Sequence, residues 1–178
     1  DYCIICLFLN CGLRISEIVG LNVGDVREDS LRVLGKGSKE RIVYLNEACQ
    51  AAVEAYKPVR AQMVGSTEKA FFVSNRRQRM GRESVHAMVK KPILKAGLDP
   101  SKSSSHKLRH TAATLMLQNG VDVRAVQEVL GHDHLNTTQI YTHVDNDDLR
   151  IAARANPLGK MKKRRKTEEN GDKEGENT

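Results

Sequence analysis

The sequence predicts a mainly α-helical domain carrying one small antiparallel β-sheet, an α+β fold. Three observations predict it. Apolar residues recur at helical spacing through most of the chain, one stretch between residues 26 and 45 has the character of a β-hairpin, and only 4% of the 178 residues are aromatic, with no Trp. A core built chiefly from Leu, Ile, Val, Ala and Met suits packed helices better than stacked sheets. A chain of this length fits one domain that buries roughly two-thirds of its unfolded surface, and residues 1–159 are read as that domain.

Cys3 to Cys11 reads as an apolar helix stopped by Gly12, after which Ser16 is placed as the N-cap of a short helix through Ile18, Val19 and Leu21. Arg14 and Glu17 stand at that junction. Leu31, Val33 and Leu34 form the first arm of the hairpin, Gly35, Lys36, Gly37 and Ser38 its turn, and Ile42, Val43 and Leu45 its second arm. Asn46 caps a helix through Ala48, Ala52, Val53 and Tyr56 that Pro58 is expected to limit or kink. Ala70 to Val73 is a candidate short strand. A helix from about Glu83 holds Val85, Met88, Val89, Ile93 and Leu94, contains Pro92, which should bend it, and stops at Gly97.

After the serines at 103–105, a helix through Leu108, Ala112, Leu115 and Met116 ends at Asn119 and Gly120. Asp122 caps the next, through Val123, Val126, Val129 and Leu130, with Gly131 as its stop. Two more short helices are expected, one through Ile140 and Tyr141 and one from about Asp147 to Ala155, and Pro157 closes the fold. Residues 160–178 turn basic and then acidic with almost no apolar side chains, and are read as a disordered tail.

A formal net charge of +7 favours a polyanionic partner, nucleic acid before others. Cys3, Cys6, Cys11 and Cys49 lie among core residue types without a second Cys or His pair at finger spacing, so they read as buried free thiols in a reducing cytoplasm. No metal and no cofactor is expected. The apolar run Ile4 to Leu9 is too short to span a bilayer and has no signal-peptide flanks, which argues against membrane and export. A chain opening in mid-element without Met is expected to be a fragment.

Four separated segments carry residues suited to chemistry at a phosphate: Gly12-Leu13-Arg14-Ile15-Ser16-Glu17, Gly35-Lys36-Gly37, His106-Lys107-Leu108-Arg109-His110, and Gly131-His132 through Tyr141. A phosphodiester under attack gathers negative charge on its non-bridging oxygens, and the planar fork of Arg meets two of them at once. Arg14 and Arg109 can form such a clamp. Lys36 can protonate a leaving alkoxide, and Tyr141 can attack if assisted, because only about a thousandth of a tyrosine is ionised at pH 7. His106 can assist and, three residues before Arg109, projects from the same helical face. His132 follows a helix-stopping glycine, where a side chain can lean into a cleft.

These segments, in this order and separation, resemble the tyrosine recombinase family, especially Xer-type recombinases and phage integrases. The likeness spans nearly all of residues 1–159 and includes Glu40-Arg41 after the hairpin turn and Asn136-Thr137-Thr138-Gln139-Ile140 leading to Tyr141-Thr142-His143. It implies that Arg14 and Arg109 clamp the phosphate, Lys36 is the general acid, His106 and His132 are the two site histidines, Tyr141 is the nucleophile, and Glu17 supports the site from behind. It further implies strand cleavage and rejoining through a 3′-phosphotyrosyl bond, double-stranded DNA as partner, a homotetramer on the DNA synapse and a monomer when free. An upstream helical domain, usual in the family, has no counterpart in these residues. Ser105 before His106 and Thr111-Ala112 after His110 replace the proline and aromatic residue often found around the box.

Plainer readings compete. Arg14 can be an ion-pair partner of Glu17, Lys39 rivals Lys36 for the acid role, and Arg76, Arg77, Arg79 and Arg82 read equally as a phosphate-touching or a solvated loop. His110, His134 and His143 read as packing or surface residues. At the level of function, a type IB topoisomerase shares the chemistry, and a passive helix-turn-helix-like DNA-binding module shares the basic charge.

Overall fold

The computed structural model describes residues 1–35, 37, 39–97, 99, 104–131 and 146–161. Its architecture is α+β, as the sequence predicts: helices α1 (Tyr2–Cys11) and α2 (Ile15–Gly20), strands β1 (Ser30–Leu34) and β2 (Glu40–Tyr44), then α3 (Glu47–Met63), α4 (Arg82–Lys95), α5 (Ser105–Gln118), α6 (Val123–Leu130) and α7 (Asn146–Ala155). Single 3₁₀ turns follow α2 and α7, the second at Pro157–Lys160. The strands pair antiparallel, Ser30 opposite Tyr44 and Leu34 opposite Glu40.

Local signals set most boundaries. The Asn46 side chain accepts from the Cys49 amide at 3.1 Å at the head of α3. The Asp122 carboxylate caps α6 through the Arg124 amide at 2.8 Å. Gly12 and Gly131 end α1 and α6 at φ 59° and 63°, a left-handed conformation that glycine adopts without penalty.

Three expectations need correction. Ser16 is exposed inside α2 and does not cap it: the Glu17 carboxylate turns back to the Arg14 amide at 2.7 Å, so the acid is the cap. Pro58 does not limit α3, which runs to Met63. Pro58 and Glu54 are both exposed, so water can meet the Glu54 carbonyl that a proline at 58 leaves unpaired. Beyond the proline, buried Arg60 anchors the last turn by donating to the Ala70 and Glu68 carbonyls at 2.9 and 2.5 Å. Ala70 to Val73 makes only single bridges, Asn22 with Ala70 and Val73 with Arg79, because its backbone partners are loops on either side. The core is mainly aliphatic, as expected, with Phe8, Phe71 and Phe72 also buried, the last two edge-on to each other and set against Tyr56 with centroid distances of 4.9 to 5.4 Å.

Among the described residues two apolar clusters result. The larger joins α1, α2, the hairpin, α3, α4 and Phe71–Phe72, and the smaller joins Met116 of α5 with α6 and α7. Burial of apolar surface at roughly 25 cal/mol per Å² drives both. The seam between them, where the ends of α1 and α6 meet α5, is the setting of the candidate site.

Candidate active site

Glu17 stands at this seam with its side chain only 1% exposed. A carboxylate buried so fully stays ionised only beside compensating charge. Arg41 of β2 takes both oxygens, Nη1 to Oε1 at 2.6 Å and Nη2 to Oε2 at 3.1 Å. Arg14 adds Nη1 to Oε1 at 3.0 Å besides its amide. Burial pushes the Glu17 carboxyl up, but the hydrogen bonds and charge of Arg41, with the hydrogen bonds from Arg14, outweigh it and hold the group below its ordinary value.

Arg109 enters from α5, 8% exposed, and its two terminal nitrogens donate to the Gly12 carbonyl at 2.5 Å and the Leu130 carbonyl at 2.6 Å. One guanidinium thus ties the end of α1 to the end of α6. Arg14 makes a parallel link, Nη2 to the Gly131 carbonyl at 2.7 Å. Burial first, then the charge of Arg14, lowers the Arg109 guanidinium to about 10; Glu17 opposes this and Arg41 adds to it. It remains protonated at neutral pH. Among the described residues three guanidinium groups surround one carboxylate, and Arg14, its side chain 31% exposed, is open to solvent. The arrangement can receive an anion.

The glycines make the approach possible. A Cβ on Gly12 would stand 2.4 Å from Leu130 Cδ2, and one on Gly131 would stand 3.0 Å from Arg41 Cζ. His106 is exposed on α5, one turn before Arg109, in a helix whose N-cap Ser104 accepts from the Lys107 amide at 3.3 Å. The structure therefore brings Arg14, Glu17 and Arg109 together and sets His106 a turn away. Lys36, His132 and Tyr141 lie outside the described residues, as do the helix expected through Ile140 and Tyr141, His134, His143 and the tail from 162. The residues just before two of them, Gly35 and Gly131, do belong to the cluster.

Arg41 is the residue that sequence reasoning passed over as an actor, noting it only within a motif. Its one signal was its place in the Glu40-Arg41 pair that follows the hairpin turn. Of the basic loop, Arg79 is committed to structure, donating to the Val19 carbonyl at 2.7 Å, the Leu21 carbonyl at 3.1 Å and Asn22 Oδ1 at 2.5 Å, while Arg76, Arg77 and Arg82 are exposed. The four cysteines are buried free thiols, Cys49 Sγ lying 3.8 Å from Cys6 Sγ and 3.7 Å from Cys11 Sγ, and burial raises the Cys3 thiol to about 12. Among the described residues no group of three His, Cys, Asp or Glu is arranged to hold a metal, and no helix is long and apolar enough to cross a membrane. A groove of about 670 Å³ beside α1 and α3, lined by Tyr2, Ala51, Ala55, Tyr56 and Met63, contains none of the candidate residues.

Fold and cluster together define a helical domain with a cationic, anion-receiving seam. The chain belongs to the phage integrase family, which residues 1–148 match. It is 53% identical over 159 residues to the tyrosine recombinase XerC of Caldanaerobacter subterraneus subsp. tengcongensis, an alignment covering 89% of this chain and 45% of that protein. Among solved structures it resembles the XerA recombinase, with a TM-score of 0.70 and 37% identity over 84% of this chain and 55% of the other. It also resembles the XerH site-specific recombinase bound to palindromic difH substrate in a post-cleavage complex, with a TM-score of 0.65 and 30% identity over 85% of this chain and 44% of that one. The chain spans about half the length of the relatives it matches.

Proposed function

We propose that residues 1–159 form the catalytic domain of a site-specific DNA recombinase that cleaves and rejoins strands through a 3′-phosphotyrosyl intermediate. The observation that carries this reading is the Arg14–Glu17–Arg109 cluster at the joint of α1, α2, α5 and α6, in a chain belonging to the phage integrase family. Nothing in a merely packed seam calls for three guanidinium groups around one carboxylate with one of them open to solvent.

In the proposed reaction Arg14 and Arg109 bind the non-bridging oxygens of the scissile phosphate, with His132 as a further donor. The Tyr141 oxygen bonds to phosphorus, its proton passing to His106, while the bond from phosphorus to O5′ breaks and Lys36 supplies the proton to that oxygen. Stabilising charge that exists only in the transition state is the largest contribution such a site can make. Bond energy is kept in the phosphotyrosyl ester, so a 5′-hydroxyl from another strand can reverse the steps without metal or ATP.

The partner is double-stranded DNA, bound as a homotetramer at the synapse by a protein that is monomeric when free. The likeness to a recombinase solved on difH substrate supports the DNA assignment. Four free thiols and a net charge of +7 fit work on DNA in a reducing cytoplasm. The reading is tested by incubating the protein with a pool of nicked suicide duplexes carrying randomised arms. A protein–DNA band that survives denaturing electrophoresis is expected; binding without any covalent band would leave a passive DNA-binding module in its place.

A further inference from the structure

We propose that Arg41 is a positioning residue for strand cleavage, setting Gly35, the residue immediately before Lys36, beside the Arg14–Glu17 pair. The proposal rests on the catalytic reading above and adds a residue to it.

A single guanidinium here joins three elements. Besides its two bonds to Glu17 of α2, Arg41 donates from Nε to the Val129 carbonyl near the end of α6 at 3.2 Å, and its side chain is 16% exposed. Neutralising Glu17 does not require the third bond. Arg14 already pairs with that carboxylate, so the reach of Arg41 across β2, α2 and α6 is a geometric device as much as an ionic one.

The device sits at the root of the turn. Arg41 pairs with Val33 across the strands, Leu34 with Glu40 beyond them, and the Gly35 amide donates to the Lys39 carbonyl at 2.8 Å to close the ladder. A Cβ added at Gly35 would stand 3.7 Å from Arg41 Nη1 and 4.0 Å from Glu17 Oε1. The backbone immediately before Lys36 thus faces the Arg41–Glu17 ion pair across the space that a side chain would fill. Gly131, immediately before His132, packs on the same guanidinium, its added Cβ 3.0 Å from Arg41 Cζ. A proton donor on a turn is effective only if the turn is held at hydrogen-bond reach of the leaving oxygen. Arg41 ties the start of that turn to the residues that bind the phosphate.

The test isolates proton delivery. Replacing the bridging 5′ oxygen by sulfur gives a leaving thiol of pKa about 8.5, which departs as thiolate, where a far less acidic alcohol needs a proton. Arg41→Met, Arg41→Lys and Lys36→Ala are compared with the native sequence on nicked duplexes of both kinds, each in the chain joined to the upstream half of its XerC relative. On oxygen substrates Arg41→Met should cleave about 100-fold more slowly and Arg41→Lys about 10-fold, the scale of partial loss of a general acid. On sulfur substrates both should return close to the native rate, as should Lys36→Ala.

A loss of equal size on both substrates would overturn the proposal, because Arg41 would then act on the phosphate clamp alone. Native rates on oxygen would overturn it too, and so would failure of both Arg41 variants to unfold cooperatively, which would make Arg41 a stability residue. If Lys36→Ala itself is not rescued by sulfur while Tyr141 still attaches to DNA, the acid role of Lys36 fails first and the proposal falls with it.

Discussion

Glu17 is where structure and chemistry meet most tightly, since one carboxylate caps α2, pairs with Arg14 and Arg41 and is almost fully buried. Replacing it by Gln leaves two cations under-compensated and should cost about 3 kcal/mol, the low end for a broken buried pair because Arg14 remains partly hydrated. Urea unfolding measures this. The native carboxyl sits below its ordinary value of 4.5, so its stabilisation is complete above about that pH and is lost as pH falls through the lowered native value. Native protein should therefore lose stability on acidification below pH 4.5, and Glu17→Gln, weaker at neutral pH, should remove that contribution to the acid slope. An identical slope in both would show that Glu17 is not the linked group. Under the proposed function Arg109 serves fold and chemistry at once: Arg109→Lys keeps the charge but gives up the fork that meets the Gly12 and Leu130 carbonyls. We expect a stability loss of about 1–3 kcal/mol from the unsatisfied carbonyls, and cleavage slower by about 100- to 1,000-fold. A folded variant cleaving at the native rate would remove Arg109 from the clamp.

At the scale of elements, the features legible in the sequence were the ones written in adjacent residues. Asn46 and Asp122 announce helices because their side chains cap backbone two or three residues on, and Gly12 and Gly131 stop them because of their own φ. The illegible features depended on distant partners. Glu17 displaces Ser16 as the cap of α2 in a setting where Arg41, 24 residues away, also holds the carboxylate, and α3 runs past Pro58 to an Arg60 anchored on the loop at 68–70. Motif order singled out Arg14 and Arg109 together, and they do meet at the seam, whereas their carbonyl partners at the ends of α1 and α6 were not legible, because spacing along the chain says nothing of which helix ends meet. The meeting of those ends gives a prediction. Gly131→Ala would force a side chain into φ 63° and to within 3.0 Å of Arg41 Cζ. The conformation alone costs about 1–2 kcal/mol, and the displaced Arg41 should slow cleavage as well. Unchanged urea midpoint and rate would mean that the end of α6 does not set the cluster.

Over the whole molecule, two apolar clusters are joined by a seam that is charged instead of greasy, so the geometry of the site depends on how the clusters meet. That arrangement lets the site be assembled from α1, α2, α5 and α6 although no two of its arginines are neighbours in the chain. Electrostatics also works at this scale. Removing residues 160–178 deletes Lys160, Lys162, Lys163, Arg164, Arg165 and Lys166. DNA affinity plotted against salt should then be shallower by about 0.9 for each phosphate that these cations no longer neutralise, and an unchanged slope would show that they touch no DNA. The central claim, that this fold presents a tyrosine to phosphorus, is tested most directly by trapping the chain, joined to the upstream half of its XerC relative, on nicked suicide DNA with excess EDTA present. The trapped product is digested with nuclease and protease, and the peptide bearing the nucleotide remnant is sequenced by mass spectrometry. The account predicts the remnant on Tyr141 and no adduct from Tyr141→Phe. Cleaved DNA free of protein, still produced by Tyr141→Phe and abolished by EDTA, would contradict it.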